Sequence, residues 1–411
     1  MPPIYLDLTH TSHTKARTGI QRVARTLRNG LGSTLRPICH DPYNRAWRPL
    51  EAWEEANLSA LTPADKRSTR WPLQAKVRGT LRRLFSARRE PIDLSGCGAF
   101  LEPEVFSTAV ASALPGLLSK VTGTRGAIFH DAIPLTHPEL TSPRTVARFP
   151  AYLQELACFD GVAAVSEASR SALIGYWQWV GFQNPPPVTA IPLGIDSFPG
   201  PAPRPPQAVS EILSIGTIEG RKNHVALLEA CERLWARGMR FNLKLIGLAQ
   251  GQTGGAALRR IKELQGAGRP LIYLGAADDS AREEAYSTSS FTVYPSLAEG
   301  FGLPVAESLA HGLPCICSGR GALGEIAQGG GCLTADVADP AELAAAIESL
   351  LSDPAKQAAL AEAARERPVR TCTDYCRDVE AWIRDLPRSA SRATSPGHSI
   401  APQSPLGQQA S

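Results

Sequence analysis

The chain has 411 residues, 43% of them hydrophobic, a length and composition that fit two α/β domains of ordinary size. Its 43 lysines and arginines stand against 39 acidic residues, and the net charge of +4 gives no reason to expect a nucleic-acid partner. The N-terminal sequence lacks the basic and apolar regions of a signal peptide, and no run of about 18 uncharged apolar residues predicts a membrane span, so we expect a cytoplasmic protein.

The N-terminal sequence predicts the start of a nucleotide-binding type of α/β unit. Ile4–Leu8 alternates in polarity like a β-strand, and a polar loop leads to Gly19–Leu27, which has helical apolar spacing. Strand, glycine loop and helix in this order are typical of a Rossmann-like domain. Gly19 is interpreted either as part of a tight turn or as a place where the backbone approaches a phosphate or an acceptor sugar.

The next stretch, residues 45–90, has little strand signal but contains a basic amphipathic segment at 66–89. One helical face carries apolar side chains, namely Leu73, Val77, Leu81, Leu84 and Phe85. Basic residues surround that face, namely Lys66, Arg67, Arg70, Lys76, Arg78, Arg82, Arg83, Arg88 and Arg89. The preferred interpretation is a packed helix with a solvated charged face. The alternative is an interfacial helix that contacts an anionic membrane surface where lipid-linked acceptors are found.

A histidine and an aspartate follow the next predicted strand. Ala127–Phe129 is apolar, and His130 and Asp131 come at its carboxyl end, where open α/β sheets bind ligands. An aspartate at a strand end also often caps the following turn, so this pair alone does not define a site.

A proline-rich stretch at residues 197–210 predicts a linker between an N-terminal domain, 1–196, and a C-terminal domain, 211–370. A second strand, loop and helix follow the linker, and the loop is Gly216–Asn223. Arg221 and Lys222 lie where the helix starts, a position that is unfavourable for cations unless an anion is bound there.

The most informative stretch runs from Phe291 to Glu325. A short buried strand is followed by a loop with Gly300 and Gly302 and then by a helix that contains Glu307. Unpaired N–H groups at the start of that helix predict an anion site. Glu299 before it and Glu307 after it fit a nucleotide-sugar, a ligand with hydroxyls at both ends and phosphate between them.

These strings together resemble the retaining family-4 glycosyltransferases of the group 1 type. The E-x7-E pattern from Glu299 to Glu307 with its G-F-G-L-P interior, the H-D-x-x-P-L string at His130 and the I-P-L-G-I-D string occur in the family's order over nearly the whole chain. The resemblance implies a GT-B fold, in which two Rossmann-like domains face each other across a cleft and a helix at 371–386 crosses back to the N-terminal domain. Gly220 and Gly324 replace prolines that are common in the family.

The resemblance also implies roles for individual residues. His130 would contact the donor sugar or its phosphate, Asp131 would hold His130 or the acceptor, and Glu307 would accept both ribose hydroxyls. Arg221 and Lys222 would bind the diphosphate, while Glu299 would hold hydroxyls of the transferred sugar. The predicted catalytic residues are His130, Asp131, Arg221, Lys222 and Glu299. The predicted donor-binding residues are Gly19, Gly216, Arg221, Lys222, Glu299, Gly300, Phe301, Gly302, Leu303 and Glu307.

The activity implied by the resemblance is transfer of a hexose, with mannose favoured, from a nucleotide-diphosphate sugar such as GDP-mannose. The acceptor would be a glycan or lipid-linked saccharide in surface polysaccharide assembly, at the inner face of the plasma membrane. A UDP- or dTDP-sugar donor, an epimerase of the same fold and a catalytically silent glycan-binding relative are alternatives.

No metal or cofactor is predicted, because cations and helix N–H groups already balance the phosphate charge. The nine cysteines lack paired C-x-x-C spacing and are interpreted as reduced, packed thiols. Residues 387–411 are rich in serine, proline and glutamine, and we expect them to be disordered.

Overall fold

Two parallel β-sheets covered by helices make up the computed structural model, which describes residues 2–16, 18–60, 71–85, 92–196, 209–251 and 253–389. The strands of the first sheet are β1 (Ile4–Asp7), β2 (Leu35–Asp41), β3 (Ala46–Pro49), β4 (Ala99–Glu102), β5 (Thr124–Phe129), β6 (Gly161–Ala164) and β7 (Val188–Ala190). Their order is β3-β2-β1-β4-β5-β6-β7, and every pair is parallel except β2 with β3.

The second sheet is parallel throughout. Its strands are β8 (Ser210–Ile215), β9 (Phe241–Ile246), β10 (Leu271–Tyr273), β11 (Phe291–Tyr294), β12 (Cys315–Ser318) and β13 (Cys332–Ala335), in the order β10-β9-β8-β11-β12-β13. The direction of the strand order reverses between β1 and β4 in the first sheet and between β8 and β11 in the second. Loops that leave two such strands diverge, and the gap at their carboxyl ends is where α/β sheets bind ligands.

Helices cover both faces of each sheet, as parallel strands require, because such strands are apolar on both sides. The helices of the first domain are α1 (Gly19–Gly30), α2 (Ala52–Ser59), α3 (Leu73–Phe85), α4 (Thr108–Leu118), α5 (Ile133–Thr136), α6 (Pro143–Glu155) and α7 (Glu167–Trp179). Those that follow are α8 (His224–Ala236), α9 (Gly255–Gly266), α10 (Asp279–Thr288), α11 (Leu303–Ala310), α12 (Gly321–Ala327), α13 (Pro340–Ser352), α14 (Pro354–Arg365) and α15 (Cys372–Asp385).

The last helix, α15, packs on the first domain rather than on the second. Its residues Tyr375, Val379 and Ile383 belong to one buried cluster with Ile4 of β1 and Leu27 of α1. The hydroxyl of Thr124 in β5 donates to the Ile383 carbonyl, 2.5 Å away. The helix predicted to cross back to the N-terminal domain is therefore confirmed.

Two predicted boundaries need correction. Strand β8 begins at Ser210, whose Cα is paired with that of Phe241, so the end of the predicted linker belongs to the second sheet, while 197–208 lie outside the described residues. At the other end, Ser389 donates its N–H to Asp160 Oδ1 at 2.9 Å, and Arg388 donates to the Val121 carbonyl at 3.1 Å. Residues 387–389 are thus bound to the first domain, and 390–411 lie outside the described residues.

The large apolar side chains of helix α3 point away from the domain, whereas a packed amphipathic helix would turn them toward it. The small residues Ala75 and Gly79 face the domain, and a Cβ at Gly79 would lie 2.8 Å from Tyr43 Cβ. The apolar residues point outward, from Leu81 at 47% exposure to Phe85 at 78%. The packed-helix interpretation is therefore wrong for the described part of 66–89, because small side chains, not large ones, allow the helix to approach the domain. Of the other residues in 66–89, those at 66–70 and 86–89 lie outside the described residues.

Strand β3 was missed by the sequence analysis because it is short and ends in Arg48 and Pro49, which are untypical of strands. The side chain of Arg48 is nevertheless buried, and it pairs with Asp41 at 3.1 Å and with Glu54 at 2.7 Å. Among the described residues, no helix is both long and apolar enough to cross a bilayer.

Asp7 and Glu102 are two buried carboxyl groups at the ends of β1 and β4, each 1% exposed. Burial, together with the charge of the nearby Glu104, raises the pKa of Asp7 to about 7. Burial and the charge of Asp7 raise the pKa of Glu102 as well. A carboxyl whose folded-state pKa is raised stabilises the fold fully below its unfolded pKa, and this stability is lost as the pH rises through the folded value.

We therefore expect Asp7→Asn to flatten the loss of stability between pH 5 and pH 8. The amide keeps the Oδ1 that accepts from Thr9 N at 2.8 Å but carries no charge. At pH 8 the melting temperature of the variant should exceed that of the unmodified chain by about 3 °C. Asp385→Asn, at an exposed position, is the control. Parallel melting-temperature curves for Asp7→Asn and the unmodified chain would contradict the assignment.

Candidate active site

The cleft between the two domains contains a cavity of about 1210 Å³. The start of α1 and the loop after β5 form its wall in the first domain, and the loops after β8 and β11 form its wall in the second. All the residues predicted to act in catalysis or donor binding line this one cavity. Their roles stay predictions, but the structure brings them together.

Glu299 lies at the centre of the second domain's wall and is buried between two cations. Its Oε2 is 2.7 Å from Arg221 Nη1, and its Oε1 pairs with Lys222 Nζ. Burial alone would raise the pKa of Glu299, but the charges of Lys222 and Arg221 lower it to about 2. Glu299 is therefore a carboxylate near neutral pH.

A compact turn after β8 presents Arg221 and Lys222 to this carboxylate. Arg221 Nε pairs with Glu219 at 2.9 Å, and the Arg221 carbonyl accepts from Leu297 N at 2.8 Å. Asn223 ends the turn in a left-handed conformation with φ of 51°, and its side-chain amide donates to the Val337 carbonyl at 2.7 Å. The turn thus binds the loop after β11 directly, and the two cations predicted to contact a diphosphate contact Glu299 in this structure.

Glu307, in the second turn of α11, is held by three donors. Arg282 Nη2 and the Tyr286 hydroxyl, both on α10, lie 2.9 and 3.1 Å from its Oε2. Arg22 Nη2 of α1 lies 2.6 Å from its Oε1. Burial opposes ionisation, but Arg22 and Arg282 lower the pKa of Glu307 below its ordinary value.

The sequence analysis missed Arg282 and Tyr286. The signal was present, since a helix that starts at Asp278 and Asp279 places Arg282 and Tyr286 one turn apart on the same face.

His130 and Asp131 follow β5 but do not hold each other. His130 Nε2 donates to the Pro103 carbonyl at 2.8 Å, which leaves Nδ1 as an acceptor. Burial lowers the pKa of His130, so the ring is neutral near pH 7. Asp131 Oδ1 accepts the Ile133 N–H at 3.0 Å and so caps the turn that follows. Of the two alternatives predicted for Asp131, the contact with His130 is replaced by two separate backbone contacts, and the contact with the acceptor stays a prediction.

The glycine loop before α11 is shaped by close contact with the first domain. Gly302 has φ of 112°, a conformation that glycine adopts readily and other residues rarely adopt. A Cβ at Gly300 would lie 2.2 Å from the His130 carbonyl oxygen. The Gly300 carbonyl accepts from the hydroxyls of Ser166 and Ser169 at 2.7 and 3.1 Å.

A further contact across the domains involves Glu325 in α12. Its carboxylate accepts the N–H groups of Glu167 and Ala168 at 3.0 and 2.5 Å, which caps the start of α7. Phe301 and Leu303 of the glycine loop also pack on the first domain's core. The loop between Glu299 and α11 is consequently fixed by both domains.

The two predicted donor-binding glycines in other loops, Gly19 and Gly216, are not in tight contact with their surroundings. Nothing lies within 4 Å of a Cβ placed on Gly19, the first residue of α1. The nearest atom to a Cβ on Gly216 is Tyr294 Oη at 3.6 Å, an ordinary contact. Neither glycine is needed for local packing, so space at these positions is open to a ligand.

His13, Cys39 and Glu54 form the one group in the described part of the chain whose ligand atoms are close enough to surround a metal ion. Both oxygens of Glu54 are already held by Arg48, at 2.7 and 2.9 Å. Burial raises the pKa of the Cys39 thiol well above its ordinary value. A cation adjacent to the carboxylate and a protonated thiol make this group an internal ion-pair network rather than a metal site.

Comparison with known proteins finds similar sequences for most of the chain. Residues 203–367 match the family described as "Glycosyl transferases group 1". The "Serotype-specific mannosyltransferase WbdA" of Escherichia coli is 26% identical over 375 residues, which are 85% of this chain and 42% of that protein. The chain thus spans less than half the length of this relative.

Solved structures share the architecture. A sucrose-phosphate synthase from Thermosynechococcus elongatus has a TM-score of 0.66 at 19% identity and covers 94% of this chain and 99% of its own. Anabaena Alr3699/HepE in complex with UDP has a TM-score of 0.62 at 14% identity, with 93% and 99% covered. At these identities the likeness shows the fold, and the predicted two-domain GT-B arrangement is confirmed.

We expect Gly300→Ala and Gly19→Ala to differ sharply in stability. The alanine Cβ at residue 300 would force the loop away from the His130 carbonyl and break the hydrogen bonds from Ser166 and Ser169. This should lower the melting temperature by about 5 °C, since it corresponds to about 2 kcal/mol. Gly19→Ala, in open space, should leave it unchanged. Equal melting temperatures in the two variants would contradict the close approach of the domains.

Proposed function

We propose that the chain, whose residues 203–367 match the glycosyl transferases group 1 family, is a retaining hexosyltransferase that uses a nucleotide-diphosphate sugar. The acceptor in this proposal is a glycan or lipid-linked saccharide of surface polysaccharide assembly. Mannose is the favoured sugar, and GDP-mannose the favoured donor.

The observation that carries this proposal is the set of charges that line one cavity. Glu307 and Glu299 both line it, Arg221 and Lys222 pair with Glu299, and the start of α11 lies between the two carboxylates in the chain. A ribose on Glu307, a diphosphate at the helix start and a sugar near Glu299 would place each ligand group beside side chains of suitable chemistry.

The proposed reaction is attack by the acceptor hydroxyl on the same face from which the diphosphate departs. The leaving phosphate oxygen accepts the hydroxyl proton, so no side chain has to act as a covalent nucleophile. Arg221, Lys222 and the N–H groups at the start of α11 stabilise the negative charge that develops on the diphosphate. His130 Nδ1, held as an acceptor by the contact of Nε2 with Pro103, would accept a hydroxyl of the transferred sugar.

Metal independence is part of the proposal. In metal-dependent transferases a divalent cation balances the diphosphate charge, whereas here the buried Lys222 and the partly exposed Arg221 are proposed to balance it. Lys222 is available for this because its ammonium group has three N–H donors. Burial lowers the pKa of Lys222, whereas Glu299 raises it, so the carboxylate helps to keep the ammonium charged.

The choice of mannose rests on two observations. The H-D-x-x-P-L and E-G-F-G-L-P strings resemble those of mannosyl- and rhamnosyl-transferring members, and the Escherichia coli relative is named a mannosyltransferase. The UDP complex of a structural neighbour keeps a UDP-sugar as the alternative donor. An epimerase of this fold would need no acceptor, so nucleotide release measured with and without an acceptor extract separates it from a transferase.

The test uses Glu299→Gln and Glu307→Gln, each titrated with GDP and GDP-mannose by calorimetry in the presence of EDTA. Glu307→Gln weakens charge-assisted hydrogen bonds to the ribose and should cost about 1–3 kcal/mol of GDP binding. Glu299→Gln should leave GDP binding intact, because its proposed partner is the sugar, and should reduce turnover. Glu283→Gln, which lines the cavity but pairs only with His311 at 3.0 Å, is the control.

Equal losses of GDP affinity in the two variants would contradict the assigned roles. Tighter binding of UDP or dTDP than of GDP would overturn the donor choice. Loss of turnover in EDTA, with recovery on adding Mg2+ or Mn2+, would overturn metal independence.

We also propose that α3 places the enzyme on an anionic membrane surface, at the cytoplasmic face where lipid-linked acceptors are present. Leu73, Leu84 and Phe85 are 68–78% exposed on one face of the helix. Four basic residues flank that face, and α3 contains no acidic residue; they are Lys76, Arg78, Arg82 and Arg83. An outward apolar face between cations is suited to the interface of an anionic bilayer.

We expect the combined variant Leu73→Ser, Leu81→Ser and Leu84→Ser to lose vesicle binding by about tenfold without a change in melting temperature, since the exposed side chains contribute little to the core. The measurement is sedimentation with vesicles that contain phosphatidylglycerol and with vesicles of phosphatidylcholine only. Charge reversal at Arg78, Arg82 and Arg83 should weaken binding further, by about 1 kcal/mol per residue, and salt should do the same.

Leu274→Ser, at another exposed apolar position, is the control for this test. Unchanged sedimentation of the triple variant would contradict lipid binding by α3. A dimer of the unmodified chain that the variant abolishes would show that α3 contacts a second copy of the chain instead.

A further inference from the structure

Arg22 extends from the first domain to the second. It lies on α1, and its Nη2 is 2.6 Å from Glu307 Oε1 and 3.4 Å from Asp196 Oδ2. The charge of Glu307 outweighs burial and raises the pKa of Arg22 further, so the side chain is always a cation. No role for this arginine follows from the function proposed above, in which Glu307 accepts ribose hydroxyls.

Glu307 has too few acceptor positions for its present donors and a ribose together. Arg22, Arg282 and Tyr286 already donate to it. A carboxylate offers about four acceptor positions, and two ribose hydroxyls would require two of them. One of the three donors therefore has to leave when a ribose binds to this carboxylate.

The positions of the three donors differ. Tyr286 is 1% exposed and stacked on His311, with ring centroids 4.2 Å apart. Arg282 also lies near Asp279, at 3.4 Å, but α10 belongs to the same domain as Glu307 and moves with it. Arg22 alone of the three comes from the opposite domain, and it has a second acceptor in Asp196, whose side chain is 76% exposed. Arg22 is thus the hydrogen-bond donor that a ribose displaces from Glu307.

The displaced guanidinium would remain in the same cavity, beside the start of α1. No side chain caps that helix start, and Gly19 there has open space around it. In a nucleotide one methylene group separates the ribose ring from the diphosphate, so a group displaced from the ribose position lies next to the phosphates. A guanidinium also matches phosphate oxygens in geometry.

We infer that Arg22 is a donor-binding residue that exchanges Glu307 for the donor diphosphate when the ribose occupies Glu307. This rests on the proposed function. The exchange gives the first domain a direct contact with the donor, and it makes ribose binding and phosphate binding at Arg22 parts of one event.

The test compares guanosine with GDP in Arg22→Met by calorimetry. Guanosine has the ribose hydroxyls but no phosphate, so loss of the competing arginine should raise its affinity about threefold or more. GDP loses a charge-assisted contact, and its affinity should fall about tenfold. Opposite shifts for the two ligands are a result that a merely structural role of Arg22 would not produce.

Two further experiments sharpen the test. Arg269→Met breaks a surface pair with Glu232, 2.6 Å away, and should change neither. In a Glu307→Gln background the gain for guanosine on Arg22→Met should disappear, because the competition is then absent.

Affinities for guanosine and GDP that fall together, or do not change, in a folded Arg22→Met protein overturn the inference. If that variant does not fold, Arg22→Lys takes its place, with a gain for guanosine and a smaller loss for GDP as the expected result. Uridine and UDP are titrated in parallel. Failure of the unmodified chain to bind any of these nucleotides overturns the proposed function as well, whereas nucleotide binding without the opposite shifts overturns the exchange only.

Discussion

A carboxylate that is almost fully buried has to be paired, and Glu299 meets this requirement with two cations at once. A buried carboxylate left with no cationic partner would cost about 3–5 kcal/mol, and here either cation still compensates the charge if the other is removed. The pairing with Arg221 and Lys222 connects the loop after β8 to the loop after β11. These loops leave the point where the strand order reverses, so the ion pairs fix the shape of the sheet edge that opens into the cleft.

The polar groups at the contact between the domains are also paired, but by weaker bonds. The Gly300 carbonyl takes hydrogen bonds from Ser166 and Ser169, and Glu325 caps a helix of the opposite domain. Each of these groups would otherwise have to be solvated in a narrow space. Most of the bonds are single hydrogen bonds with net values of about 1 kcal/mol each, so they can be exchanged for bonds to a ligand at little cost.

The sequence was sufficient for the two-domain alternation of strands and helices and for most of the residues that meet in the cleft, although strand β3, Arg282 and Tyr286 were missed. Glycine loops and strand ends are local features, and chain order in parallel sheets places their ends at one edge. The pairs of side chains that contact each other were harder to predict, because a pair such as Arg22 and Glu307 depends on how two separately folded sheets face each other. The orientation of α3 was missed since periodicity defines an apolar face but not its direction, and Ala75 and Gly79 carried the signal instead.

The packing of α15 on the first domain affects how the chain folds during its synthesis. Tyr375, Val379 and Ile383 complete a core that also contains Ile4 and Leu6, so residues at opposite ends of the chain belong to one packed unit. Domains usually fold one after another as they leave the ribosome, beginning at the N-terminus. Here the first domain cannot finish burying its apolar surface until the second has been synthesised. Part of the core beside the N-terminal sheet stays incomplete until then, and contacts between residues so far apart in the sequence are expected to slow folding.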